Sequence, residues 1–588
     1  MKRFALLLLP LFAALPAVAG EADPPVIPLA EIEPGATGEW RTVVSGHEVE
    51  RFPLVVVGVL ESFAGPGMPI LLCRATDERN TGTGPVAGMS GSPVYVDGRL
   101  AGAYAYGFPW SKGKTLIGVT PIEWMNPLLG LPDRPYRETQ GETGAAKADG
   151  EPETVGLSTG PMDTTTGGTV SPRALPIPLL ASGVSERTLR AVDPWLRDRG
   201  IRLTAGAAGS GPSGEPRFGA GSPLAVILAS GDLTIGGVGT ITRRKDDRFL
   251  AFGHPMLGAG SVELPVGGAE IVDVVSSYRR SFKLSNIGEV AGTMWQDSTP
   301  GIQGELGRIP FMIPIRVSSD GAVESPVTGR LAEHRRFTPV MALLYAARTL
   351  LSAEEGPADA TIRGTLSLAL EGREERFEFE RRGVGMGGAM ATLFSFADYL
   401  DLVLNGSQEF PRIEDIAIDF RTEGVEKRQI LRSIRLDSAR IQAGEPVHLT
   451  IQTRRRDGSL RHHRVEIPLP EGAAGESFSV FVADADALRA NDQLARRDRT
   501  RSLDDLLAEL RQLRGNGEIH VQLLRDTPGL RLAGRNLESL PPSVLRLYRS
   551  PLEQPGDKYL RESVVWETSI PVPGVFAGSS RLGFQTEP

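Results

Sequence analysis

The sequence predicts a mainly β chain: two β-rich units joined by a linker, then a C-terminal β-sandwich. Three observations predict it. Gly 69 and Pro 45 break the 588 residues into short apolar runs, and few stretches keep a long helical period. Apolar residues thin out between 133 and 171, where Gly, Thr, Glu and Pro dominate, which reads as a linker. Beyond residue 410, short strand patterns recur at near-regular spacing between Gly-containing turns, the pattern of an immunoglobulin-like sandwich without its disulfide. The expected boundaries are a leader over 1–19, a first β-rich unit over 20–132, the linker over 133–171, a second β-rich unit with helices over 172–408, and a sandwich with an irregular tail over 409–588.

Basic Met1-Lys2-Arg3 precedes an apolar run from Phe4 to Ala17 that ends in Ala17-Val18-Ala19. A positive start, a short apolar stretch and a small-x-small site describe a secretory signal peptide, and Pro10 and Pro16 weaken it as a membrane span. A periplasmic or secreted address with cleavage near Ala19 follows. In the first unit, Val43-Val44, Phe52 to Leu60 and Ile70 to Cys73 are strand-like. Cys73, the sole cysteine, sits in an apolar strand pattern and reads as a buried hydrophobe. In the second unit, Ser185 is placed to cap a helix running to Arg199, with strands at Leu224 to Leu228, Gly237 to Thr242, Phe249 to Phe252, Ile271 to Val275, Ile313 to Val317 and Ala360 to Leu370. A helix is expected at Val340 to Leu351. Another is expected at Ala389 to Leu404, interrupted by Asp398 and Asp401 and so read as a buried or interface helix. The sandwich strands are expected at Ile430 to Ile434, Ala439 to Ile441, Val447 to Thr453, Arg464 to Pro468 and Phe478 to Val482. A capped helix over Ser502 to Leu513 and a strand at Ile519 to Leu524 follow.

A formal net charge of −8 with interspersed signs argues against a nucleic-acid partner. No Cys/His cluster has zinc spacing and no loop has the calcium pattern, so no metal or cofactor is expected.

The chemistry concentrates in two motifs. Gly88-Met89-Ser90-Gly91-Ser92-Pro93 sets a serine between glycines at a turn between strand-like runs. An attacking hydroxyl needs such a tight turn, with backbone N–H groups converging beside it as an oxyanion hole. Far downstream, Gly237-Val238-Gly239-Thr240-Ile241-Thr242 leads into Ala251-Phe252-Gly253-His254-Pro255. Together with Gly118-Val119-Thr120-Pro121-Ile122-Glu123-Trp124-Met125, these segments resemble the SpoIVB-type serine peptidases, the sporulation signalling proteases. The resemblance covers roughly 85–126 and 221–266 and weakens towards 310. It implies a trypsin-like double β-barrel with Ser90 as nucleophile, His254 as general base, and the N–H groups of Gly88 and Ser90 as the oxyanion hole. In the sporulation family the histidine precedes the serine; here Ser90 comes first, so the implied barrels are in permuted order.

That reordering leaves the third member open. The family's aspartate falls here on Ala75, and Asp77 is the nearest carboxylate; Asp232 and Asp297 are rivals. Asp77 is the expected member. Of the seven histidines, only His254 lies in a Gly-His-Pro turn ending an apolar strand pattern, whereas His462 and His463 read as a solvated strand edge. Two functional readings follow: an exported serine endopeptidase acting on a protein or peptide, or an inert envelope scaffold on a protease-like fold. Cleavage of its own linker is a third. The C-terminal region is expected to bind or position an envelope protein partner.

Overall fold

The computed structural model describes residues 23–63, 67–108, 115–132, 136–137, 173–175, 179–206, 215–277, 281–320, 326–351, 360–492, 502–527, 529–532, 535–537, 540–541, 543–544, 558–560 and 562–588. The expected leader over 1–19 lies outside them, as does the linker apart from Tyr136 and Arg137. Those two residues are tied down. Tyr136 is buried and stacks on His334, and Arg137 pairs with Glu333 at 2.6 Å.

The architecture is mainly β. A first barrel is built from β1 (Thr37–Val43), β2 (Val49–Leu60), β3 (Ile70–Ala75), β4 (Ser92–Val96), β5 (Arg99–Gly107) and β6 (Leu116–Pro121). Antiparallel pairing runs β4–β1–β2–β3–β6–β5 and closes through β5 back to β4. Alternation along β1 sends Trp40 inward, opposite Phe52 on β2. Trp40 is fully buried, stacks on Phe52 at 4.8 Å between centroids and meets Tyr104 edge-on at 5.4 Å, which plugs the barrel. Cys73 lies in this core, its thiol pushed up to about 12 by burial, the inert hydrophobe expected of it.

A second ring comprises β7 (Pro223–Gly231), β8 (Thr234–Lys245), β9 (Arg248–Ala251), β10 (Gly260–Val275), β11 (Ser281–Ser298) and β12 (Gly301–Leu306). Its hydrogen bonds run β8–β9–β12–β11–β10–β7 and return to β8. The sheet continues outward from β7 through β14 (Val327–Ala332), β13 (Met312–Ser319), β17 (Ile413–Glu423), β15 (Thr361–Leu370) and β16 (Phe377–Val384). Because β17 pairs with β13 and β15, the break expected at 408/409 falls before a strand that belongs to the second unit.

Helix α1 (Glu78–Thr83) lies in the first unit and α2 (Ile122–Leu129) follows β6. Helices α3 (Glu186–Asp198), α4 (Phe337–Leu351) and α5 (Gly385–Asn405) pack into the large core of the second. Ser185 caps α3 by accepting from the Thr188 N–H. α5 is long and apolar enough to cross a membrane by composition, yet it buries Leu393, Phe396, Leu400 and Val403 in that core.

Two four-stranded sheets follow and share one apolar core. One orders β20 (Leu460–Ile467), β19 (Val447–Arg455), β18 (Arg428–Leu436) and β24 (Val575–Ala577). The other orders β23 (Ser563–Pro571), β22 (Glu518–Arg525), β21 (Ser477–Ala483) and β25 (Ser579–Gln585). Two short helices, α6 (Ala485–Asp492) and α7 (Leu503–Arg511), connect β21 to β22. The strand expected at Ala439 to Ile441 is absent: that stretch lacks ladder partners and contributes only buried Ile441 to the core. The tail is more regular than expected, since it supplies β23, β24 and β25. Its polar alternation hid them, because each has one face on the core and one in solvent.

Candidate active site

Ser90 sits at the turn between the short strand Val86–Ala87 and β4. Gly88 and Gly91 both take φ of +94°, a region closed to residues with a Cβ, so the turn needs glycine on both sides of the serine. Two of its N–H groups are consumed locally: Met89 donates to the Val86 carbonyl and Gly91 to that of Tyr104. Val86–Ala87 pairs in parallel with Ser281 and Phe282 of β11, so the strand leading to the nucleophile belongs to the second unit's sheet.

β8 completes the seam. The Thr240 N–H donates to the Ser90 carbonyl at 2.8 Å, the Thr240 hydroxyl to the Gly88 carbonyl at 3.2 Å, and the Thr242 hydroxyl to the Gly91 carbonyl at 2.7 Å. Backbones approach so closely here that a Cβ on Gly91 would fall 2.0 Å from the Thr240 carbonyl oxygen. The sequence reading assigned no role to either threonine. The signal was the Thr-x-Thr spacing, which puts both hydroxyls on one face of a strand.

His254 follows β9 through two residues of positive φ, Phe252 at +70° and Gly253 at +69°. A phenylalanine in that region is strained. Its ring is wedged against Gly239, where a Cβ would come within 2.4 Å of it, and its N–H donates to the Thr240 carbonyl. The Thr120 hydroxyl donates to the Gly253 carbonyl at 2.5 Å, which is how the Gly118–Met125 segment reaches the site. The result is direct: Ser90 Oγ lies 2.7 Å from His254 Nε2, across 164 residues of sequence. On the far side of the ring, Nδ1 is 2.8 Å from the carbonyl oxygen of Pro255. An Nδ1–H donated to that oxygen leaves Nε2 as acceptor for the serine proton. Burial drives the imidazole down to about 4, with the carbonyls of Pro255 and Leu175 opposing the shift, so the ring is neutral near pH 7.

None of the three candidate carboxylates is bonded to the ring. Asp77 instead caps α1: its Oδ1 accepts from the Asn80 backbone N–H and side-chain amide, each at 2.8 Å. Asp232 accepts from the N–H and hydroxyl of Thr328. Asp297 is the one beside the base. Buried on β11, it accepts from the N–H groups of Met256 and Leu257 at 2.8 and 2.7 Å and from Ala259 at 3.4 Å. It therefore holds the turn that carries His254 and Pro255, rather than the ring itself. His462 and His463 lie on β20, remote in sequence and sheet from this site; His462 is exposed, whereas His463 is half-buried, its Nε2 3.3 Å from both Thr453 Oγ1 and Gln429 Oε1. Among the described residues no cluster of His, Cys, Asp or Glu could hold a metal ion.

No family model, no curated protein and no solved structure matches this chain.

Proposed function

We propose that the chain is an exported serine endopeptidase, resembling the SpoIVB-type peptidases, in which Ser90 attacks the carbonyl of a protein substrate. One observation carries this reading: a serine hydroxyl in a glycine turn, 2.7 Å from the Nε2 of a buried histidine whose other nitrogen is occupied. In this reading His254 takes the Ser90 proton as Oγ bonds to the substrate carbon, then delivers it to the leaving amine; water repeats the sequence to free the acid. The Pro255 carbonyl does the orienting that an aspartate does in trypsin-like triads. Asp77, expected there from the family spacing, is replaced in that role. The N–H groups of Gly88 and Ser90 flank the consumed Met89 donor and are the proposed oxyanion hole. Two six-membered strand rings with the pair between them fit a trypsin-like double barrel in permuted order. The two C-terminal sheets then serve as an immunoglobulin-like docking module for an envelope protein.

Incubation with a fluorophosphonate tests the reading, because an activated serine displaces fluoride from phosphorus and ordinary serines do not. The expected adduct maps to Ser90 and vanishes in Ser90→Ala. His254→Gln should slow its formation by roughly three orders of magnitude or more. The scaffold reading gains from the complete burial of Ser90. An unlabelled chain under all activating conditions would favour it.

A further inference from the structure

Ser90 is 0% exposed and His254 3%. A hydroxyl that must meet an outside carbonyl is covered, and a backbone carbonyl of this chain is what faces it. The segment Arg173–Ala174 adds to β5 as an antiparallel strand, with Gly107 opposite Arg173 and Tyr106 opposite Ala174. The next N–H, that of Leu175, donates to the Ala105 carbonyl at 2.8 Å. The Leu175 carbonyl oxygen then lies 3.5 Å from Ser90 Oγ and also faces His254, where it favours the protonated ring. The Leu175 side chain is buried in an apolar cluster that includes Val86, Met89 and Tyr104. Gly107 makes its room: a Cβ there would fall 2.9 Å from Leu175 Cδ2.

An extended polypeptide makes contacts of this kind when it adds to an unpaired stretch of strand ahead of an acyl-transfer nucleophile: ladder hydrogen bonds hold the chain, one side chain is buried, and a carbonyl oxygen comes within reach of the serine hydroxyl. We propose that Arg173–Leu175 is a built-in occupant of the acyl side of the substrate cleft, so the site takes extended polypeptide with a leucine-sized aliphatic residue just before the cut. The inference rests on the serine peptidase reading. An incoming substrate competes with the chain's own strand, and its apparent affinity is the intrinsic affinity multiplied by the fraction of molecules in which that strand is displaced. In the sequence Leu175 is followed by proline, whose nitrogen carries a ring carbon in place of hydrogen.

The test measures labelling rates of the full chain, of Leu175→Gly and of Ser90→Ala. Three probes are used: a small fluorophosphonate and two peptide diphenyl phosphonates, acetyl-Arg-Ala-Leu and acetyl-Arg-Ala-Asp. Emptying the pocket should raise fluorophosphonate labelling about tenfold or more. The leucine phosphonate should outpace the aspartate one by a similar factor. Equal fluorophosphonate rates with a Ser90 adduct in both proteins would overturn the occupant while leaving the peptidase standing. Preference for the aspartate probe would overturn the pocket assignment. No Ser90 adduct in any protein would remove the peptidase reading and this inference with it. If Leu175→Gly does not fold, hydrogen exchange on the natural sequence decides. Saturation with the leucine phosphonate should strip protection from the Leu175 amide, and unchanged protection would overturn the proposal.

Discussion

At the scale of single residues, the site turns on where its charges are allowed to be. Burial holds His254 at about 4, below the 6.5 of a free imidazole, so it stays neutral and able to accept a proton through mildly acidic pH. Ser90 labelling should therefore remain flat down to about pH 5, and a break near 6.5 would show that the working ring is solvated rather than held down by burial. The same shift bears on stability. The unfolded chain binds the proton first as pH falls, so stability drops between 6.5 and 4; buried His334, also lowered to about 4, adds to the loss. His254→Gln should flatten part of that slope in urea titrations. Asp77 and Asp297 separate by the same logic of contacts. Asp77→Ala should keep labelling within about twofold while losing roughly 1 kcal/mol of helix-cap stability. Asp297→Asn places an amide donor among three N–H groups and should slow labelling about tenfold or more through the misplaced turn.

At the scale of elements, the seam between the nucleophile turn and β8 admits little change. Gly91→Ala would drive a Cβ into the Thr240 carbonyl and the Phe252 N–H, which are backbone atoms unable to rotate away. The expected result is loss of Ser90 labelling together with a fall of about 2–4 kcal/mol in stability, read from urea midpoints. This seam also marks how far the sequence could be read. Ser90 and His254 were legible because their turns carry glycines that only special backbone angles require, and most strands were legible from period-2 patterns. Distance along the chain points to Asp77 as the third member, whereas its local chemistry gives it a helix to cap. An aspartate three residues before an asparagine N–H is a helix cap, and a six-residue helix in a β-rich unit leaves little periodic trace. The carbonyl of Pro255 could not be foreseen at all, since a backbone atom has no letter of its own.

At the scale of the molecule, the two rings are joined through a buried cation. Lys283 on β11 reaches the Thr42 hydroxyl on β1 at 2.7 Å, and burial lowers it from 10.5 to about 7. Its folded value lies below its unfolded one, so the cost of charging it is complete below pH 7 and disappears as pH rises towards 10.5. Lys283→Met should accordingly raise the urea midpoint at pH 6 more than at pH 10. Equal gains at both pH values would mean the ammonium is better solvated than its surroundings indicate. The joined arrangement was hidden in the sequence because it depends on Val86–Ala87 crossing to pair with β11, a contact between strands nearly two hundred residues apart. That crossing has a consequence in time. On the ribosome the serine emerges 164 residues ahead of its histidine, an interval on the order of ten seconds or more at ordinary elongation rates. Throughout that interval the growing chain carries the serine without its histidine partner, and the strand ahead of it has no sheet to join. The contact between Ser90 and His254 thus waits until the second half has been made and has closed on the first, and on the proposed reading any hydrolytic capacity waits with it.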